Sequence, residues 1–323
     1  MSESKVRKWS GPTGKLMQDY LSLRSSMGIV GTAEVIVLHQ FNFFLRKQYP
    51  KLKTPHRYSV LHFLDTKKHL TSSGRRNAVV HIRGFCRFLN QRGIPCYVPD
   101  KTLVPKITYK PRYYPLNLEN VKHLVRGMRL IRTNKPIVGM TYSTMVGLLW
   151  CTGMRRKEVI NLNHSDINFE EKSILIRETK FRKTRLIPID RSVATILENY
   201  LRQKKKLKYS VDSDAPFFIN LSGTRVRGEN LQHCFSRVVK RIGLIDKDGS
   251  YPVLHDLRHN FATQTLRRLY SDMEKWPSQT VLNILATYLG HTDMTYSQYY
   301  LHPDFDLLLK ASERFKLKQR TVA

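Results

Sequence analysis

Residues 95–115, PCYVPDKTLVPKITYKPRYYP, constrain the fold more than any other stretch, because Pro95, Pro99, Pro105, Pro111 and Pro115 recur faster than a helix can restart. Each proline holds φ near about −65°, removes an amide donor and biases the residue before it toward extended backbone. The stretch therefore reads as an extended, basic linker that divides the 323-residue chain in two.

On its N-terminal side, residues 14–94 carry apolar positions at helical spacing in four runs separated by Gly or Pro: KLMQDYLSLRSSMG, TAEVIVLHQFNFFLRKQ, RYSVLHFLDTKKHL and RRNAVVHIRGFCRFLNQRG. A small helical domain with basic faces is predicted there, preceded by an N-terminal extension over residues 1–13. On the C-terminal side helices return over residues 116–303, with Asn117 as the expected N-cap of the first. They are interrupted by SILIRETKFRKTRLIPI, whose β-rich arms at 173–178 and 185–189 flank a basic turn and predict a hairpin. The fold class is thus mostly α with a small β-sheet. The tail, 304–323, contains the amphipathic DFDLLLKASERF, whose Leu307, Leu308 and Leu309 suit docking either on a neighbouring subunit or within the chain.

Charge points to the partner. The chain has 56 Lys+Arg against 25 Asp+Glu, a formal net charge of +31, far beyond what solubility requires. Residues 1–110 hold 20 of the cations and 5 of the anions, so +15 lies there and +16 (36 against 20) in the remainder, and both parts are expected to touch a polyanion. Cys86, Cys96, Cys151 and Cys234 are scattered without metal-ligand spacing. The most apolar stretch, Ile137 to Met154, is broken by Gly, Thr, Ser and Tyr, and the start MSESKVRKWSGPTGK has no apolar core, so neither a membrane span nor an export signal is expected. A cytoplasmic, nucleoid-associated protein is the corresponding expectation.

Four separated segments concentrate the residues able to do chemistry on a phosphodiester: CTGMRRKEVINL (151–162), ETKFRKTRLIPI (178–189), LHDLRHNFATQTL (254–266) and LGHTDMTYSQYY (289–300). In order, spacing and context they resemble the tyrosine recombinases, the phage integrase family, over residues 115–303 and more loosely over the N-terminal helices. The resemblance implies a helical, SAM-like core-binding domain that contacts DNA, followed by the tyrosine recombinase catalytic domain.

Within the family's TGxRxxE pattern, Arg155 takes the arginine position and Glu158 the acid three residues on, the latter orienting the arginine or lysine. A phosphodiester under attack gains charge on its non-bridging oxygens, which a rigid guanidinium fork holds bidentately. In HDLRH, His255 and Arg258 are three apart and share one helix face, so a proton-transfer group and a second guanidinium can meet one phosphate. His259 reads instead as a packing or helix-orienting histidine. Lys180 aligns with the family lysine that protonates the departing 5′ oxygen, although Phe181 stands where a glycine is usual. Arg182, Lys183 and Arg185 are the expected DNA contacts of the same hairpin.

His291 is the histidine expected to hydrogen-bond the scissile phosphate or the phenol. The family's nine-residue step from it selects Tyr300 as nucleophile, leaving Tyr296 and Tyr299 to pack or touch DNA. A phenol with a pKa of about 10 is a poor nucleophile at neutral pH without cations and a base beside it.

The implied reaction is site-specific cleavage and rejoining of double-stranded DNA through a 3′-phosphotyrosyl link. It needs no cofactor and no metal, in keeping with a sequence that lacks a Walker pattern and an acidic pair for Mg²⁺. Homotetramers on paired sites, with accessory DNA-bending proteins as possible partners, are the family's way of working. Integration, excision, resolution and transposition all use this chemistry. Three other readings are a type IB topoisomerase, a DNA-binding-only member of the fold, and a basic RNA-binding protein, for which no RRM, KH or zinc-knuckle pattern is present.

Overall fold

The structure, a computed structural model, describes residues 9–105, 114–131, 136–177, 184–246, 248–271 and 278–290. The chain forms two units, residues 1–110 and 111–323.

The first unit is built from α1 (Pro12–Ser26), α2 (Thr32–Gln48), α3 (Arg57–Asp65) and α4 (Ser72–Gln91). In α4 the apolar residues Ala78, Val79, Ile82, Phe85, Cys86 and Leu89 fall on one stripe, and all are buried. Thr71 caps this helix through its side chain, which accepts from the amide of Gly74 at 3.2 Å. Facing it, α2 contributes Leu38, Phe41 and Leu45, and Phe41 packs on Phe63 of α3 with ring centroids 4.8 Å apart. One carboxylate lies inside: Glu34, 2% exposed, accepts from Tyr20 Oη and Arg24 Nε, each at 2.9 Å. Burial of a charge is tolerable there because both its oxygens are hydrogen-bonded.

The start of the Pro-rich stretch belongs to this unit. Ile94, Cys96, Tyr97 and Val98 pack against its core, and an exposed 3₁₀ turn spans Lys101–Leu103, so the first residues of the expected linker are docked on this unit.

The second unit contains α5 (Leu118–Arg129), α6 (Ile137–Thr152), α7 (Arg156–Asn161), β1 (Ile167–Asn168), β2 (Ser173–Ile176), β3 (Arg185–Pro188), α8 (Arg191–Lys206), α9 (Gly228–Arg241), α10 (Leu254–Ser271) and α11 (Ser278–Leu289). Asn117 caps α5 as expected, in a reciprocal box with Asn120. The strands form an antiparallel sheet in the order β1-β2-β3, with Ile174 opposite Ile187 and Ile176 opposite Arg185. The expected hairpin is therefore part of a three-stranded sheet, its first strand too short to read as a pattern.

Helix α6 is apolar on nearly all faces and forms the centre of the unit. Its Gly139 lies so close to the preceding helix that a Cβ would stand 2.3 Å from the carbonyl oxygen of Arg129. Helix α8 is tied to it by Tyr200, whose hydroxyl bonds Thr141 Oγ1 at 2.9 Å. Helix α10 packs between α6 and α11, and Ala262, Leu266, Val281, Leu285 and Leu289 form a cluster between the last two.

Candidate active site

Two motifs are fixed first by local backbone chemistry. Helix α6 ends at Gly153, whose φ of 60° lies in the left-handed region that glycine occupies without a Cβ penalty. A Cβ here would also stand 2.4 Å from Cδ1 of Phe261 on α10, so glycine is required twice over. Two residues later Arg155 takes the N-cap position of α7, and Glu158 at the third helical position accepts its amide at 2.8 Å. The TGMRRKE run is thus a helix stop, a turn and a helix start, and this geometry folds the Glu158 carboxylate back onto Arg155.

The side chains then converge on the end of α11. Arg155 Nη1 donates to Glu158 Oε1 at 2.8 Å and its Nη2 to the carbonyl of Gly290 at 2.9 Å. Arg258, 2% exposed, donates through Nη1 to the carbonyl of Gly153 at 2.7 Å and through Nη2 to that of Leu289 at 2.8 Å. Arg185 donates through Nε to the carbonyl of Tyr288 at 2.9 Å. Its other two nitrogens straddle Glu158, Nη1 to Oε1 at 3.1 Å and Nη2 to Oε2 at 2.8 Å. A helix leaves its last carbonyls without intrahelical donors. Here three consecutive ones, at 288, 289 and 290, are each taken by a guanidinium drawn from a different segment. The negative end of the helix dipole gathers the same cations.

Glu158 stands between two of them with its side chain 6% exposed. Burial pushes its pKa up, but the Arg185 fork and then Arg155 outweigh that, holding it below the ordinary carboxylate value. Three guanidiniums against one carboxylate leave the site electropositive, as a phosphate would require.

His255 is on the surface of α10, with its ring edge-on to that of His259 at a centroid distance of 4.5 Å. Packing around the ring, then Arg258 and Arg155, push its pKa down to about 4. Because the residue is exposed, the two cations are the firmer cause, and they are the part a bound phosphate would cancel. His259, set aside from the sequence, is the ring neighbour of His255, four residues along the same helix face.

Arg185, expected among the DNA contacts, has its side chain 11% exposed and its donors on Glu158 and the Tyr288 carbonyl. Lys180, Arg182, Lys183, His291 and Tyr300 lie outside the described residues, as do Tyr296, Tyr299 and the 304–323 tail. Tyr288 precedes them on α11. Its ring stacks on Phe261 at 5.5 Å and burial pushes its phenol up to about 12, which keeps it neutral and marks it as a packing residue.

Asn260 was not singled out from the sequence. Buried on α10, it accepts from the amide of Leu116 and donates to the carbonyl of Tyr114, both at 2.8 Å. It thereby fixes the incoming chain to the helix that carries His255 and Arg258. Among the described residues, no helix is long and apolar enough to cross a membrane.

The profile of the phage integrase family matches residues 119–306. A Sinorhizobium fredii protein named as the integrase/recombinase y4rE is 31% identical over 304 residues, covering 93% of this chain and 95% of that protein. Among solved structures, the Tn1549 transposon integrase superimposes with a TM-score of 0.64 at 16% identity, covering 93% of this chain and 99% of its own. The XerH site-specific recombinase gives a TM-score of 0.60 at 20% identity, covering 95% and 85%. At these identities the structural likenesses establish the fold. Together with a profile that spans more than half of the chain and a relative aligned along nearly all of it, the ordered motifs and the guanidinium cluster have one meaning: the chain belongs to the phage integrase family, the tyrosine recombinases, enzymes that cut and rejoin DNA at specific sites.

Proposed function

We propose that Tyr300 is the nucleophile of this recombinase and that the cluster at the end of α11 is the phosphate-binding half of its active site. The carrying observation is that Arg155 and Arg258 reach successive carbonyls, at 290 and 289, immediately ahead of His291 in the chain.

In the reaction, the Tyr300 oxygen forms a bond to the scissile phosphorus as the bond to the 5′ oxygen breaks. Arg155 and Arg258 hold the non-bridging oxygens, where charge develops. Lys180 delivers a proton to the departing 5′ oxygen, and His255 and His291 supply the remaining hydrogen bonds and proton transfers. The product is a 3′-phosphotyrosyl ester and a free 5′-hydroxyl. A 5′-hydroxyl from a partner strand reverses the steps, so the bond energy is conserved and no nucleotide is consumed.

Both units engage duplex DNA, since the charge is shared between them at +15 and +16. Four chains on two paired sites are the assembly that strand exchange requires. The XerH structure is described as bound to a palindromic difH substrate in a post-cleavage complex, which supports a two-fold repeated site for this chain as well.

The test is a nicked suicide duplex built from the DNA flanking the gene, from which the short 5′-hydroxyl fragment escapes and traps the ester. The wild-type protein is expected to give a denaturant-resistant adduct whose peptide map places DNA on Tyr300. Tyr300→Phe is expected to bind but give none. An adduct recovered on Tyr299 or Tyr296 would overturn the assignment.

A further inference from the structure

The hairpin cation that sequence assigns to DNA is instead built into the protein. Arg185 leaves β3 and spends its fork on two groups: both oxygens of Glu158 at 3.1 and 2.8 Å, and the Tyr288 carbonyl at 2.9 Å. Only 11% of its side chain is exposed, and all three of its nitrogens already donate to protein acceptors. The same Glu158 carboxylate holds Arg155 by its Nη1 and by its amide. At the other end, α11 turns at Gly290, where φ is +67° and a Cβ would stand 2.9 Å from Arg185 Nη1. The glycine is thus the opening through which the fork reaches Glu158.

We propose that Arg185 is a positioning residue of the strand-cleavage reaction: it locks Glu158, and through it Arg155, to the C-terminal carbonyls of α11, in one frame that exists before DNA arrives. By chain order it ties together two reactive segments. Arg185 follows Lys180 by five residues, and the Tyr288 carbonyl precedes His291 by three. Only arginine serves, because the frame needs three donors in a plane, two on a carboxylate and one on a carbonyl, whereas lysine offers a point charge. This role rests on the phosphotyrosine mechanism proposed above.

The experiment compares the full-length wild type with Arg185→Lys, Arg185→Ala and Gly290→Ala on the nicked duplex from the flanking DNA. It measures the rate of adduct formation at saturating DNA, the affinity, and the slope of log affinity against log salt. A positioning role predicts that Arg185→Lys fails to rescue and that both substitutions slow adduct formation roughly 10- to 100-fold, the scale of a small misplacement of a reacting group. Affinity and salt slope stay at the wild-type values. Gly290→Ala keeps every charge, crowds the fork and is expected to show the same split, so the inference survives even if Arg185→Ala does not fold.

A backbone contact predicts the opposite pattern: the salt slope falls by about 0.9, the share of one phosphate, and lysine restores the rate. That result, or a wild-type rate in Arg185→Lys and Gly290→Ala, would overturn the inference alone. Absence of an adduct with the wild-type protein would remove the phosphotyrosine assignment and this inference with it.

Discussion

Glu158→Ala strips the site of the anion that binds it together, and the cost can be worked from the contacts. The carboxylate accepts four donors: two from Arg185 at 3.1 and 2.8 Å, the Arg155 Nη1 at 2.8 Å and the Arg155 amide at 2.8 Å. Arg185, at 11% side-chain exposure, is left as a largely buried cation without its counter-ion, a loss of up to about 3–5 kcal/mol. Arg155, at 30%, can rehydrate, so its ion pair adds no more than about 0.5 kcal/mol. The lost amide acceptor at the start of α7 adds about 0.5–1 kcal/mol. The sum, about 4–6 kcal/mol, is comparable to the whole stability of many domains.

Scanning calorimetry of the full chain is the assay, because two units need not unfold together. The transition of the second unit is expected to fall by about 8–24 °C, at about 2–4 °C per kcal/mol for a domain of this size. The decisive variant is Glu158→Ala/Arg185→Met. If the stranded cation is the source, removing it as well restores most of the loss, since a buried pair replaced by apolar groups is often neutral or better. A double variant less stable than Glu158→Ala would refute the reasoning.

Two further outcomes are expected. Since the folded pKa of Glu158 lies below its unfolded value of about 4.3, the stability it contributes is complete above that value and is lost as pH falls through the lower folded one. Acid titration of stability should show this limb in the wild type and lose it in Glu158→Gln. Arg258→Ala is expected to bind DNA nearly as well as the wild type while forming the adduct roughly 10²–10³-fold more slowly, as for loss of a preorganised oxyanion donor. Single-turnover cleavage at saturating DNA measures it, and weak binding with normal cleavage would place Arg258 among the backbone contacts.

What could be read from the sequence was what depends on neighbours along the chain. The Asn117 cap and the three-residue step from His255 to Arg258 are set within one or two helical turns. The hairpin arms were legible from their β-branched content, but β1 is two residues long and carries no pattern. The partners of Arg185 were not legible for a physical reason: a cation near Lys183 in the chain looks solvated until α7 and α11, distant in sequence, supply the carboxylate and carbonyl it binds. Asn260 was invisible likewise, because its partners are main-chain atoms 144 and 146 residues distant, which no spacing rule reaches. Within the Pro-rich stretch, the described residues include a 3₁₀ turn at Lys101–Leu103, and Tyr97 and Tyr114 each bring an apolar ring to a core, which proline spacing alone does not show.

The acceptors at the end of α11 are all peptide oxygens, which every amino acid possesses. Tyr288 and Leu289 could be exchanged for other residues without deleting a single acceptor, whereas Arg155, Arg185 and Arg258 have no substitutes of equal reach. The two halves of this site would therefore drift by unequal rules. Three donors stand still while the helix they hold changes its letters, and paired changes between them would be missing from any comparison of homologous sequences although they touch. A change in the length of α11, by contrast, rotates the whole row of oxygens away at once. Inserting or deleting one residue there is the lesion this site tolerates least.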